Sequence, residues 1–175
     1  MIEPTLYYLD DDEIIPNSYL PVLYYPKAME LPLLFPSRAM TQLFSKNNWT
    51  NNEVTNIYTI NHYHSVTHKS LGVIKGNTEL LLGGVNGVIV PIQKGDVIII
   101  PAGVAHKNLG KEYAVVCVTG YPESRIYDMN YCKRHERPRT KKNIAALPLP
   151  LKDPVFGSEG PLVRLWQQHN GNPLS

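Results

Sequence analysis

A chain of 175 residues, 43% apolar and 18% charged, is long enough to bury a core and too apolar to be disordered. Its net charge of +2 is too small to argue for nucleic acid, and its apolar runs are too short to span a bilayer, so neither partner is expected. Fifteen prolines point away from a helical bundle, and with only Cys117 and Cys132 no disulfide framework is implied.

The chain opens on MIEPTLYYLDDDEIIP, which is acidic and lacks the basic and apolar regions of a secretory signal, so a cytoplasmic protein is expected. IIPNSYLPVLYYPKAMELPLLFPS has a proline every few residues and should run extended along a surface or sheet edge. SRAMTQLFSKN carries the one helix signal, with Ser37 as cap and Met40, Leu43 and Phe44 at helical spacing. From Glu53 to Tyr121 the chain breaks into short runs rich in Val, Ile, Leu, Tyr and Thr. The separators HS, KGN, GGVNG, QKGD, PAG and LGKE are turn chemistry, and together they predict an antiparallel sandwich or barrel.

After Tyr131 the pattern is lost. KRHERPRTKK, Lys133 to Lys142, is expected to be a solvated loop broken by its proline, with no aromatic interleaving for stacking on bases. NIAALPLPLKDPVFGSEGPLVRLW is again proline-punctuated and should wrap back over the barrel. The expected organisation is a single all-β domain over 1–175: an N-terminal arm and short helix (1–52), a barrel core (about 53–121) and a C-terminal wrapping segment (122–175). Extended arms such as LPVLYYP offer edges that a second copy could cover, so a homodimer is expected.

The chemistry concentrates in HYHSVTHKSLGVIKG. On a strand from Ile57 to His64, His62 and His64 share a face about 6.6 Å apart, and Tyr58 and Ile60 on that face suggest a barrel interior. In GDVIIIPAGVAHKNLG a buried strand ends at Pro101, Gly103 permits a tight turn and His106 follows. Barrel closure can bring His106 to the pair, and three neutral imidazoles suit a divalent transition metal with positions left open for water or substrate.

These two stretches resemble the motifs of the cupins, small jelly-roll barrels. The first motif is H-x-H, three or four residues, E, six residues, G; the second is G, five residues, P-x-G, two residues, H, three residues, N. His62, His64 and Gly76 match the first, and Gly95, Pro101, Gly103 and His106 match the second. HKNLG, GYPES, NIAALPLP and DPVFGSEGPL further resemble an uncharacterised branch of small bacterial cupins. The resemblance implies a cupin-type jelly-roll β-barrel with one short helix and extended N- and C-terminal arms. It also implies a metal centre (Zn, Ni, Fe or Mn) that works on small acids or sugars by oxygenase, decarboxylase or isomerase chemistry or by binding alone; a dication held by neutral imidazoles without a carboxylate keeps its full charge and should favour a small anionic molecule.

Two departures bear on the site. The closing Asn falls on Gly110, with Asn108 nearby, and the acidic ligand falls on Lys69 when counted back from Gly76 or on His68 when counted on from His64. In one placement His68 is a fourth ligand and Lys69 swings out to water on its long stem; in the other Lys69 points inward, as strand alternation with Leu71 and Val73 would have it. The first is preferred, because an ammonium beside a dication is costly. The expected metal ligands are therefore His62, His64, His68 and His106, with Tyr58 and Lys69 as further pocket residues and no catalytic residue assigned.

Overall fold

The computed structural model describes residues 1–169; the last six residues of the expected wrapping segment lie outside them. The N-terminal arm forms β1 (Thr5–Leu9) and β2 (Ser18–Tyr25), followed by α1 (Pro36–Lys46) and the short strands β3 (Trp49–Thr50) and β4 (Val54–Thr55). Then come β5 (Lys69–Leu82), β6 (Val88–Gln93), β7 (Val97–Ile100), β8 (His106–Asn108) and β9 (Val115–Pro122). Two helices close the described chain, α2 (Arg137–Ala145) and α3 (Pro161–His169).

All strand pairings are antiparallel, in the order β1-β2-β7-β5-β9-β3, with β4 on β9 and with β6 and β8 on β5. The expected all-β barrel is present as a curled half-barrel, and β5 is its spine. The first half of β5 pairs with β7 and β9, and its second half pairs with β6 and β8. KGN, expected as a turn, is instead the point where β5 passes between these partners. Gly76 sits there at φ 76°, a conformation that side chains beyond glycine rarely adopt.

Each strand divides its side chains between two cores because successive residues point to opposite faces. In β7, Ile98 and Ile100 join Leu71, Val73, Leu80, Leu82, Val90, Ile92 and Val115 inside the barrel. Val97 and Ile99 face the other way, against Met40 and Phe44 of α1 and Leu162 and Trp166 of α3. The helices thus cover the outer face of the sheet. Gly72 lets α1 approach, since a Cβ there would lie 2.5 Å from Met40 Sδ.

The arms differ from expectation in instructive ways. β2 is an inner strand, paired on both sides, and it tolerates Pro21 because the β1 register shifts opposite it and the β7 pairing begins only at Leu23. β1 ends the sheet instead. α1 begins on Pro36 after Phe35 in the left-handed region, with no side-chain cap from Ser37. α2 and α3 were not anticipated; each has a proline in its first turn, where the missing N–H costs nothing, so the prolines start these helices rather than break them. α2 lies in the basic stretch, where Arg137 and Lys141 pair with Asp11. Among the described residues no helix is long and apolar enough to cross a membrane, and both cysteines are free.

Trp166 ties α3 to the sheet. Its ring is fully buried and its Nε1 donates to the Pro21 carbonyl at 3.0 Å. Trp166→Ala should therefore cost about 3–5 kcal/mol, measurable as a lowered midpoint in urea unfolding; a variant as stable as the parent would show that α3 is only loosely docked.

Candidate functional site

The segment expected as a strand from Ile57 to His64 is an irregular crossing of the barrel mouth. It contributes only single bridges, His62 to His106 and Tyr63 to Asn130. Tyr58 and Ile60 are about half exposed there, at 51% and 55%, so neither lines an interior strand face. The His62 bridge nevertheless brings His106 beside it. His106 N–H donates to His62 O at 3.0 Å, and the two rings lie 4.2 Å apart. The His64 ring stands 6.2 Å from that of His62 and 6.1 Å from that of His106.

Each of the three rings is held by its Nδ1–H. His62 donates to Ile60 O at 2.9 Å, His64 to Asp128 O at 2.5 Å and His106 to Val104 O at 3.3 Å. A carbonyl can only accept, so every Nδ1 carries the proton and every Nε2 keeps its lone pair. Carbonyl anchoring of this kind also orients imidazoles in metal centres. His64 Nε2 is buried with no partner.

Lys69 occupies the space beside them. Its side chain points inward with Leu71 and Val73, is 8% exposed, and its Nζ lies 3.3 Å from His106 Nε2. His68 takes the opposite face: its ring packs 4.8 Å from Trp166 and its Nδ1 accepts from Ala102 N–H at 3.1 Å. The preferred placement is therefore reversed. The pleat of β5 fixes position 69 inside, and α3 supplies an outer-face environment for His68 that the sequence reading lacked.

The electrostatics follow from burial. Desolvation, reinforced by the neighbouring Lys69 charge, lowers His62 to about 4 and His64 to about 3, and burial takes His106 well below the usual 6.5. Burial also brings Lys69 down to about 8, with Cys117 and Glu53 opposing. Among the described residues Lys69 makes no ion pair.

The mouth opens to a cavity of about 380 Å³ whose lining includes Lys69, His62 and His64 with Tyr58, Tyr121, Tyr127 and Glu53. Tyr121 and Tyr127 stack at 5.0 Å, and Tyr127 lies 4.9 Å from His64 and donates to Glu53 at 3.2 Å. Sequence reasoning missed Tyr121 and Tyr127, whose only signal was the aromatic content of GYPESRIYDMN, and Glu53, which carried no signal at all. It also missed the clamp under the H-x-H segment. Asp128 accepts from Ser65 N, Ser65 Oγ, Val66 N and Asn130 Nδ2, and Asn143 of α2 donates to Ser65 Oγ. Burial alone would raise the Asp128 carboxyl, but these bonds outweigh it and hold it below its usual range.

A metal at the meeting point of the three Nε2 atoms does not fit this arrangement. The His64 ring stands off from the other two, and the Lys69 amine already takes the His106 lone pair. Among the described residues no group of three or more His, Cys, Asp or Glu side chains is disposed to hold a metal ion.

No family model matches the chain. The protein YjlB of Bacillus subtilis (strain 168), described as uncharacterized, is 31% identical over 165 residues, spanning 94% of this chain and 97% of the relative. Among solved structures, acireductone dioxygenase from Bacillus anthracis, with a cadmium ion in its active center, has a TM-score of 0.45 at 14% identity and covers 63% of this chain and 83% of its own. The recombinant pro-11S globulin of pumpkin has a TM-score of 0.38 at 15% identity, covering 46% of this chain and 22% of its own.

The buried histidines give a pH dependence with a definite sign. His62, His64 and His68 titrate at about 4, 3 and 4 in the folded chain against 6.5 when unfolded, so between these values the unfolded state binds more protons. Stability should be full above about pH 6.5 and fall as pH drops from there through about 4. Urea unfolding across that window checks it, and a flat profile would mean the rings are solvated.

Proposed function

Since this chain belongs to the same family as YjlB of Bacillus subtilis and its histidine motifs resemble those of the cupins, we propose that its barrel mouth binds a small anionic molecule, with the Lys69 ammonium as the fixed cation that attracts it. The observation that carries this reading is the Lys69 Nζ, buried 3.3 Å from His106 Nε2 and free of any carboxylate partner among the described residues. A buried, unpaired cation is costly, and an anion entering the cavity relieves that cost. Tyr58 and Tyr121 provide hydroxyls for its remaining oxygens, and the ring of Tyr127, whose hydroxyl goes to Glu53, joins theirs against its apolar part.

A second reading, a divalent transition metal such as Zn, Ni, Fe or Mn on His62, His64 and His106, has one observation in its favour: the unpartnered His64 Nε2. It requires Lys69 to withdraw from His106. His68 belongs to neither reading, because it faces Trp166.

Calorimetric titrations separate the two. Zn or Ni should bind the parent weakly, Lys69→Glu should tighten that binding by more than about tenfold, or 1.4 kcal/mol, and His68→Ala should leave it unchanged. A parent protein that keeps about one equivalent of metal through dialysis would decide for the second reading.

The assembly proposed with this function is a homodimer. β1 ends the sheet, and Tyr8 on it is 57% exposed, so a second copy can add its own β1 edge to edge. Light scattering should give twice the mass of the chain at micromolar concentration; the mass of a single chain refutes this assembly.

A further inference from the structure

We infer that Lys69 is the nucleophile of a covalent carbonyl site, its amine condensing with a small 2-oxo acid in the barrel mouth to form an imine. The inference rests on the anion-binding reading, because attraction of the carboxylate to Lys69 carries the adjacent carbonyl carbon to Nζ. Among the described residues Lys69 is the one buried lysine; every other lysine is exposed or half-exposed. A lysine buried only to support a fold ordinarily holds a carboxylate. This one holds none, and its hydrogen bond goes to a neutral imidazole whose lone pair faces it.

That pairing is what condensation needs. The Lys69 ammonium first passes one proton to His106 Nε2; the amine nitrogen so freed attacks the carbonyl carbon, a C–N bond forms, and the imidazolium returns that proton to the carbonyl oxygen. A second proton leaves nitrogen by the same route, the C–O bond breaks, and the hydroxyl departs as water, leaving the C=N bond to Lys69. No oxidant or reductant is consumed. Because Val104 O accepts from the other ring nitrogen of His106, Nδ1, the ring is held with Nε2 toward Nζ. The cavity of about 380 Å³ has ample room for a small 2-oxo acid, and Tyr121 and Tyr127 line it beside Lys69.

The test uses the full chain, pyruvate as probe and sodium cyanoborohydride as trap, with adducts mapped by peptide mass spectrometry. Lys69 should acquire the reduced pyruvyl group at least about tenfold faster than any exposed lysine, as a positioned and desolvated amine would. Lactate, which has the carboxylate but no carbonyl, should form no adduct and should slow trapping by competition. Lys69→Arg keeps the charge and should abolish the adduct, and His106→Gln should slow trapping while lactate affinity is retained. Adducts spread evenly over the exposed lysines overturn the inference. Lactate binding that is lost in Lys69→Met, with no trapping on Lys69 in the parent, overturns it while leaving the anion-binding reading in place. Absence of both lactate binding and trapping overturns the two together.

Discussion

Everything at the barrel mouth depends on the pleat of β5. This strand lies between two cores, one inside the half-barrel and one beneath the helices, and each core takes every second residue. Leu71 and Val73 are committed inward and Gly72 outward against Met40, so Lys69 has one available direction. A slip of one residue would place Leu71 and Val73 under the helices and drive a side chain into α1, a cost far beyond that of burying one amine. The inward lysine is thus imposed by packing, and the chemistry of the mouth follows from it.

The second constraint is the shared orientation of three imidazoles. His62, His64 and His106 each give their Nδ1 proton to a backbone carbonyl, from residues 60, 128 and 104. Each ring is thereby left with an Nε2 acceptor atom, and a buried acceptor calls for a donor or a cation. Lys69 supplies it for His106. Burial keeps the rings neutral, and the lysine charge reinforces that neutrality, so ring and amine form an acceptor and donor pair rather than two repelling cations.

The irregular segment that carries His62 and His64 is stabilised from behind rather than by its own strand pairing. Asp128 binds three groups of Ser65 and Val66, Asn130 exchanges backbone bonds with Tyr63, and α2 reaches in through Arg139, Thr140 and Asn143. This explains how a stretch with only isolated bridges can hold its side chains fixed. The part of the chain after the barrel is therefore integral to the mouth, supporting it from behind as well as contributing Tyr127 to the cavity.

The sequence by itself determined the barrel and singled out His62, His64 and His106 as candidates for one site. Turn residues at regular intervals between β-branched runs delimit the strands, and the spacing of Gly95, Pro101, Gly103 and His106 sets a turn whose Gly103, at φ 94°, has no room for a Cβ beside Asn17 O. These are local facts, legible because they concern residues close in the chain. Only the tertiary structure decided between His68 and Lys69. Both sit where a turn meets a strand, and alternation alone leaves such a position open until each face has a partner. The partner that settles it is Trp166 on α3, almost a hundred residues away, in a helix hidden from pattern reading because its proline starts it instead of ending it. Long-range packing of that kind leaves no trace in local periodicity, and so the direction of one buried amine could be known only from the fold.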